Sequence, residues 1–200
     1  LNTVNAATTN TVTATAVTSI TGTASAIALV VAAKGSTGNK INLDNDFTTT
    51  VDSGTLTVTQ ANDFAAAGGV VTGTISNGNI ADLDDLTTDS TDQLTITVTS
   101  TTATAAQLKT VGDATGLNVT ATAVEGISSS SVAQVISLLN DEGGTGDKVN
   151  LDGNFTVAIN DTGTVDANDL NTINTATTGL VTATTVGTIN GSAANINLSL

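Results

Sequence analysis

Residues 162–190, TGTVDANDLNTINTATTGLVTATTVGTIN, contain their own pattern twice. Residues 162–174 lie over 178–190 at an offset of 16, with seven of thirteen positions identical. Self-similarity at a short, fixed spacing is the mark of stacked coils, in which no single unit can bury its apolar face and each neighbour supplies core. A chain built this way has few alternatives to a repeat architecture.

The side chains available narrow the choice further. Threonine appears 43 times, the aromatics are three Phe, and His, Cys, Met, Trp, Tyr, Pro and Arg are absent. The apolar residues are chiefly Ala, Val, Leu and Ile. Each offers little area at about 25 cal/mol per Å² buried. Stability then has to come from many similar narrow layers. Thr and Val favour strands, because a branched Cβ packs well on a pleated surface. These patterns predict a mainly all-β chain: a parallel β-solenoid, or β-helix, with coils of about 16 residues. Its inward residues are expected to be Val4, Val12, Val17, Ile20, Val111, Val119, Val124, Ile127, Val165, Leu170, Ile173, Val181, Val186 and Ile189.

One or two short helices are expected beside the coils. Residues 24–34 (ASAIALVVAAK) show helical spacing and end at Gly35, although a buried strand is the competing reading. Residues 132–139 (VAQVISLL) follow a serine run that can cap a helix. After each helical stretch comes a matching segment, TGNKINLDNDFT at 37–48 and TGDKVNLDGNFT at 145–156, with eight of twelve positions identical. Ile41, Leu43 and Phe47 are the inward candidates of one copy, and Val149, Leu151 and Phe155 those of the other.

A larger repeat is laid over the small one. The chain reads as a single continuous array, 1–200, with units 1–63, 64–107, 108–169 and a partial 170–200. Residues 170–200 match 1–31 at 17 of 31 positions. The chain thus starts and stops inside the repeat. It begins with Leu1 rather than Met and carries no signal-peptide pattern, so a mature chain or a fragment is expected. Either a longer parent or end-to-end stacking of copies would cover the open coils, and both point to a filamentous object.

Eighteen acidic residues against four Lys give a net charge of −14. That balance argues against nucleic acid and anionic membrane surfaces, since both need basic patches. No apolar run reaches the roughly 18 residues of a membrane span, so no membrane insertion is expected. Without Cys there is neither a disulfide framework nor a thiolate site.

Chemistry-bearing clusters are few. Asp44, Asp46, Asp152 and Asn154, with Asp147 in the second copy, sit at one repeated turn and could offer oxygens to calcium. Asp and Asn also cap turns by bonding their own backbone, which is the competing account. Asp82, Asp84, Asp85, Asp89 and Asp92 read as a solvated edge. Thr-x-Thr runs at 11–15, 55–59 and 95–99 could make a flat threonine face, like that of ice-binding solenoids. Without His, Cys, Tyr or Arg, nucleophile–base triads are excluded, and no enzyme is expected. No cofactor beyond a possible calcium is implied. Sequons at Asn118, Asn154, Asn160, Asn190 and Asn197 leave room for a glycan.

The stretch VDANDLNTINTATTGLVTATTVGTINGSAANINL, at 165–198, resembles the repeat regions of very large secreted or surface proteins of cyanobacteria and other marine bacteria. That group includes β-strand-repeat, adhesin-like and haemolysin-type calcium-binding proteins, although the glycine-aspartate calcium motif is missing here. The resemblance implies an extracellular or cell-surface location. The expected function is a structural segment of an extracellular filament, sheath or surface layer that self-associates by coil stacking. A calcium-dependent adhesin segment is the alternative, and ice binding a distant third.

Overall fold

Thr57 stands three residues before Gln60, Thr104 before Gln107 and Ser131 before Gln134. In each pair the hydroxyl accepts the glutamine backbone N–H, and the glutamine side chain accepts the N–H of the capping residue. This reciprocal pair satisfies two donors that a helix start leaves free, and a side-chain cap contributes about 1 kcal/mol. Helices therefore begin at positions where threonine content alone suggests strand.

The computed structural model describes residues 1–38, 40–140 and 148–199. In chain order the elements are α1 (Asn2–Ala6), β1 (Val12–Thr13), β2 (Ser19–Thr23), α2 (Ala24–Ala32), β3 (Ile41–Asn42), β4 (Thr48–Ser53) and α3 (Val58–Ala67). Then come β5 (Val71–Thr74), α4 (Ile80–Leu83), β6 (Gln93–Thr95), β7 (Thr102–Ala103), α5 (Ala105–Asp113), β8 (Val119–Ala121), β9 (Gly126–Ser130) and α6 (Val132–Leu139). The last are β10 (Val149–Leu151), β11 (Thr156–Ile159), β12 (Thr164–Asp166), α7 (Ala167–Ala176), β13 (Val181–Thr182), β14 (Thr188–Asn190) and α8 (Ala193–Ser199).

The chain divides into two compact units. The first comprises Leu1–Asn77, Asp85–Ile96 and Ala114–Leu117. It holds a four-stranded parallel sheet in the order β2-β4-β5-β6 and a smaller ladder, β1-β3. Ser19 lies opposite Thr48, Thr49 opposite Val71, and Thr72 opposite Gln93. Helix α1 packs on α2, and α2 on α3. Phe47, Phe64, Ile27, Ile41, Leu56, Val71 and Leu94 fill the space between sheet and helices.

The second unit comprises Gly78–Asp84, Thr97–Asp113 and Asn118–Leu200. Its main sheet runs β13-β11-β9-β7, with β10-β8 and β12-β14 as companions, again all parallel. Helices α4 to α8 pack in series, each on the next. Phe155, Leu108, Val111, Val119, Ile127, Val135, Leu138, Val149 and Ile173 are buried between them. Parallel strands need a crossover between them, and here each crossover includes a helix. Each unit is thus a stack of turns in which a strand or two lead into a capped helix.

This architecture corrects the expectation of a mainly-β solenoid. Helix accounts for 32% of the described residues and strand for 27%, in several short parallel sheets. The expected helices at 24–34 and 132–139 stand as α2 and α6. Residues 58–67, 105–113 and 167–176, however, are helices as well. The step of 16 is corrected with them. Val165 lies opposite Ile189 rather than Val181, and the side-chain link from Asn171 to the Asn195 carbonyl spans 24 positions.

The reason is geometric. A helix rises about 1.5 Å per residue and a strand about 3.3 Å. A turn containing ten-residue α7 therefore needs more residues than an all-strand turn. The 16-residue match lays the apolar face of a helix, Leu170 and Ile173, over strand and turn positions, Val186 and Ile189, that share its spacing by coincidence. The filament reading, argued from end-on β-solenoid stacking, loses that support with the fold, and the adhesin reading, argued from the acidic turns and the resemblance, gains none from it.

The expected inward set divides in the same way. Ile20, Val111, Val119, Val124, Ile127, Val165, Leu170 and Ile173 are buried, as are Ile41, Leu43, Phe47, Val149, Leu151 and Phe155. Val12, Val17, Val181, Val186 and Ile189 are half-buried, and Val4 is 56% exposed. Val4 lies on α1, a five-residue helix with no buried residue.

Candidate functional site

The repeated acidic turn comes first. Asp44 and Asp46 are exposed between β3 and β4, and Asp152 and Asn154 are exposed between β10 and β11. Asp147 lies outside the described residues. The Asp44 carboxylate accepts the Asn45 backbone N–H at 2.7 Å, a local turn bond. Asn45 in turn accepts from the Lys34 ammonium at 2.8 Å. Lys34 also donates to the Ala67 carbonyl at the end of α3 and stands 5.4 Å from the centre of the Phe47 ring. The first copy of the turn therefore carries an ammonium on Asn45. Among the described residues, no three acidic or imidazole groups converge on a metal position. The geometry assigns the turn a stapling role: one ammonium ties the α2 end, the β3–β4 turn and the α3 end together.

The acidic stretch 82–92 is not uniformly solvated. Asp89 is exposed, and its hydrogen bonds from the Thr91 hydroxyl and then the Thr91 N–H hold its carboxyl below the usual carboxylate range. Asp92, by contrast, is only 3% exposed. One of its oxygens accepts the Val71 N–H at 2.7 Å, and the other accepts the Asp89 N–H at 3.0 Å. It caps the start of β5 from the following turn of the stack. A charge-count reading of this stretch misses that role, because sequence does not show which aspartate faces inward.

Asp92 is one member of a chain-wide pattern. In the first unit the Asn62 side chain donates to the Asp85 carbonyl and accepts the Thr87 N–H, both at 2.8 Å. The Thr88 hydroxyl donates to Ala114 O at 2.7 Å, and the buried Thr115 hydroxyl accepts the Leu94 N–H at 3.0 Å. In the second unit Ser100 accepts from Ile80 N, Ser130 from Ala105 N, and Asp161 from Val132 N, at 2.7–2.9 Å. Thr182 and Thr185 donate to the carbonyls of Val157 and Ile159. These partners lie 20 to 29 positions apart, one turn of the stack. Polar side chains of one turn thus hold backbone groups of the adjacent turn. Such groups, if buried unpaired, would each cost about 1–3 kcal/mol.

The surfaces offer several hollows of comparable size. A cavity of about 390 Å³ in the first unit is lined by Leu1, Asn2, Val17, Ile20, Ile27 and Val30 among others. It lies along the edge of β2 that faces away from β4. No helix among the described residues is long and apolar enough to cross a membrane.

No protein-family model matches the chain, and neither a curated protein nor a solved structure matches it.

Proposed function

We propose that this chain is a structural module of an extracellular layer or sheath, whose work is to hold its shape and to join copies of itself. The observation that carries the reading is the turn-to-turn pattern of side-chain links, in which Asp92, Asn62, Thr115, Ser130 and Asp161 each fix backbone of a neighbouring turn. Polar residues committed to cross-linking their own stack suit a load-bearing or spacing part. The extracellular location follows the resemblance of 165–198 to secreted repeat regions. A net charge of −14 favours solubility there and disfavours polyanion partners.

Immunogold electron microscopy of the native source material tests the proposal. Label confined to a surface layer or sheath is the expected result. Label dispersed through the cell interior overturns it.

A further inference from the structure

The last turn of the chain repeats the first, element on element. At the offset at which 170–200 match 1–31, β13 (Val181–Thr182) corresponds to β1 (Val12–Thr13). Strand β14 (Thr188–Asn190) corresponds to the first three residues of β2, and α8 begins where α2 begins. The correspondence extends to a single hydrogen bond. Asn171 Nδ2 donates to Asn195 O at 3.0 Å, and its counterpart Asn2 Nδ2 donates to Ala26 O at 2.8 Å.

The two turns differ in which edge is covered. In the last turn, β13 pairs with β11 and β14 with β12, placing Val165 opposite Ile189 and Asp166 opposite Asn190. In the first turn, β1 pairs with β3 and β2 with β4, so the covered edge is the other one. The edge matching that on which β11 and β12 sit carries no strand among the described residues. Beside it lies the cavity lined by Val17, Ile20 and Ile27. The chain itself shows what fits such an edge.

We infer that the open edge of β1 and β2 takes the β11–β12 strand pair of a second copy, with Val165 of that copy opposite Ile20 and Asp166 opposite Thr21. This rests on the self-association in the proposed function and names the surface for it. The copy that supplies the strands releases its own 177–199 arm. Its α7 takes the place of the receiving copy's α1, a helix that buries no residue. Asn171 then makes the bond to Ala26 O that Asn2 makes in the monomer. Every strand pairing made is the like of one broken, so the replacement costs no net strand pairing. Concentration decides the outcome, because the arm's own tether holds it at an effective millimolar level.

The chain has no cysteine, so single thiols can be placed without background. Ile20→Cys and Val165→Cys variants are mixed and mildly oxidised. Neighbouring strands about 4.8 Å apart put paired residues within disulfide reach. The expected result is a mixed disulfide dimer at a yield at least about tenfold above that of Ile20→Cys with Asp84→Cys, an exposed control. Sedimentation of the unmodified chain across concentration runs alongside, together with Thr188→Pro. That change removes the N–H that Thr188 gives to Gly163 O and loosens the arm, so it raises the dimer fraction. A monomer at every concentration, in both chains, overturns self-association and this interface together. Oligomers without the 20–165 cross-link, or with a dimer fraction unmoved by Thr188→Pro, overturn the interface and leave self-association standing.

Discussion

The carboxylate of Asp92 holds the backbone N–H of Val71 at 2.7 Å from one turn away, with its second oxygen on the N–H of Asp89. A buried acid placed this way acts as a backbone cap for a strand. Replacing it with alanine strands two donors. Asp92→Ala is expected to cost about 2–6 kcal/mol, since each buried donor left unsatisfied costs about 1–3 kcal/mol. Asp92→Asn keeps one acceptor and should lose less. Urea denaturation of both variants checks this, and equal losses would refute the two-acceptor account.

Thr49 gives the opposite sign. Its hydroxyl is buried, with 1% of the residue exposed, and has no hydrogen-bond partner. The matching position of the second copy of the 37–48 segment continues to Val157, a valine in the same strand context. Thr49→Val should therefore raise stability by about 1 kcal/mol, the cost of an unpaired buried hydroxyl. A lowered melting temperature would show that the hydroxyl is satisfied in solution.

Gly179 is fixed by close approach rather than by backbone angle. A Cβ there would come within 2.2 Å of the Phe155 carbonyl oxygen and 2.5 Å of Asn154 O. Backbone, unlike a flexible side chain, has little room to yield. Gly179→Ala is expected to destabilise by about 1–3 kcal/mol, the usual range for overpacking. Gly163→Ala, with open space at its Cβ, serves as the near-neutral comparison.

Calcium can be tested by removal. The ammonium of Lys34 sits on Asn45, and no acidic cluster gathers among the described residues. Chelation with EDTA is expected to leave the melting temperature where it was, and Asp44→Asn to change it by no more than about 0.5 kcal/mol, as for ordinary surface positions. A drop on chelation, restored by added calcium, would place a metal at these turns.

Asp89 has a pH signature. Its carboxyl is held below the usual range by the Thr91 hydroxyl and then the Thr91 N–H. A depressed folded-state value means that the bond's stabilisation is present above the ordinary carboxylate range and is lost as pH falls through the lowered value. Thr91→Val removes the hydroxyl and should move Asp89 up towards its ordinary value. A carbon-detected NMR titration of the Asp89 carboxyl reads the shift directly.

Sequence pattern identified the core of the repeated segment: Ile41 and Leu43, like Val149 and Leu151, follow the period of two, and Phe47 and Phe155 are buried just before β4 and β11. It also located α2 and α6, where alanine or leucine content and a cap agree. It missed α5, and it missed α3 and α7 because their threonines and asparagines imitate strand and turn. The Thr57–Gln60 and Thr104–Gln107 boxes were visible signals of helix starts. The 16-residue match masked the true step, since Val, Leu and Ile at three- to five-residue spacing fit helix and strand alike. The inward role of Asp92 had no local signal, for its partners lie a full turn away.

The turn-to-turn links carry a consequence for how such a chain can change. The backbone requirements of one turn are written partly in the side chains of its neighbour: Ser130 serves Ala105, Asp161 serves Val132, Asn62 serves Thr87. A single turn deleted or shuffled by recombination would leave its neighbour's amides without acceptors. The smallest portable piece is accordingly a pair of adjacent turns, and duplications that survive in this lineage should carry both members together.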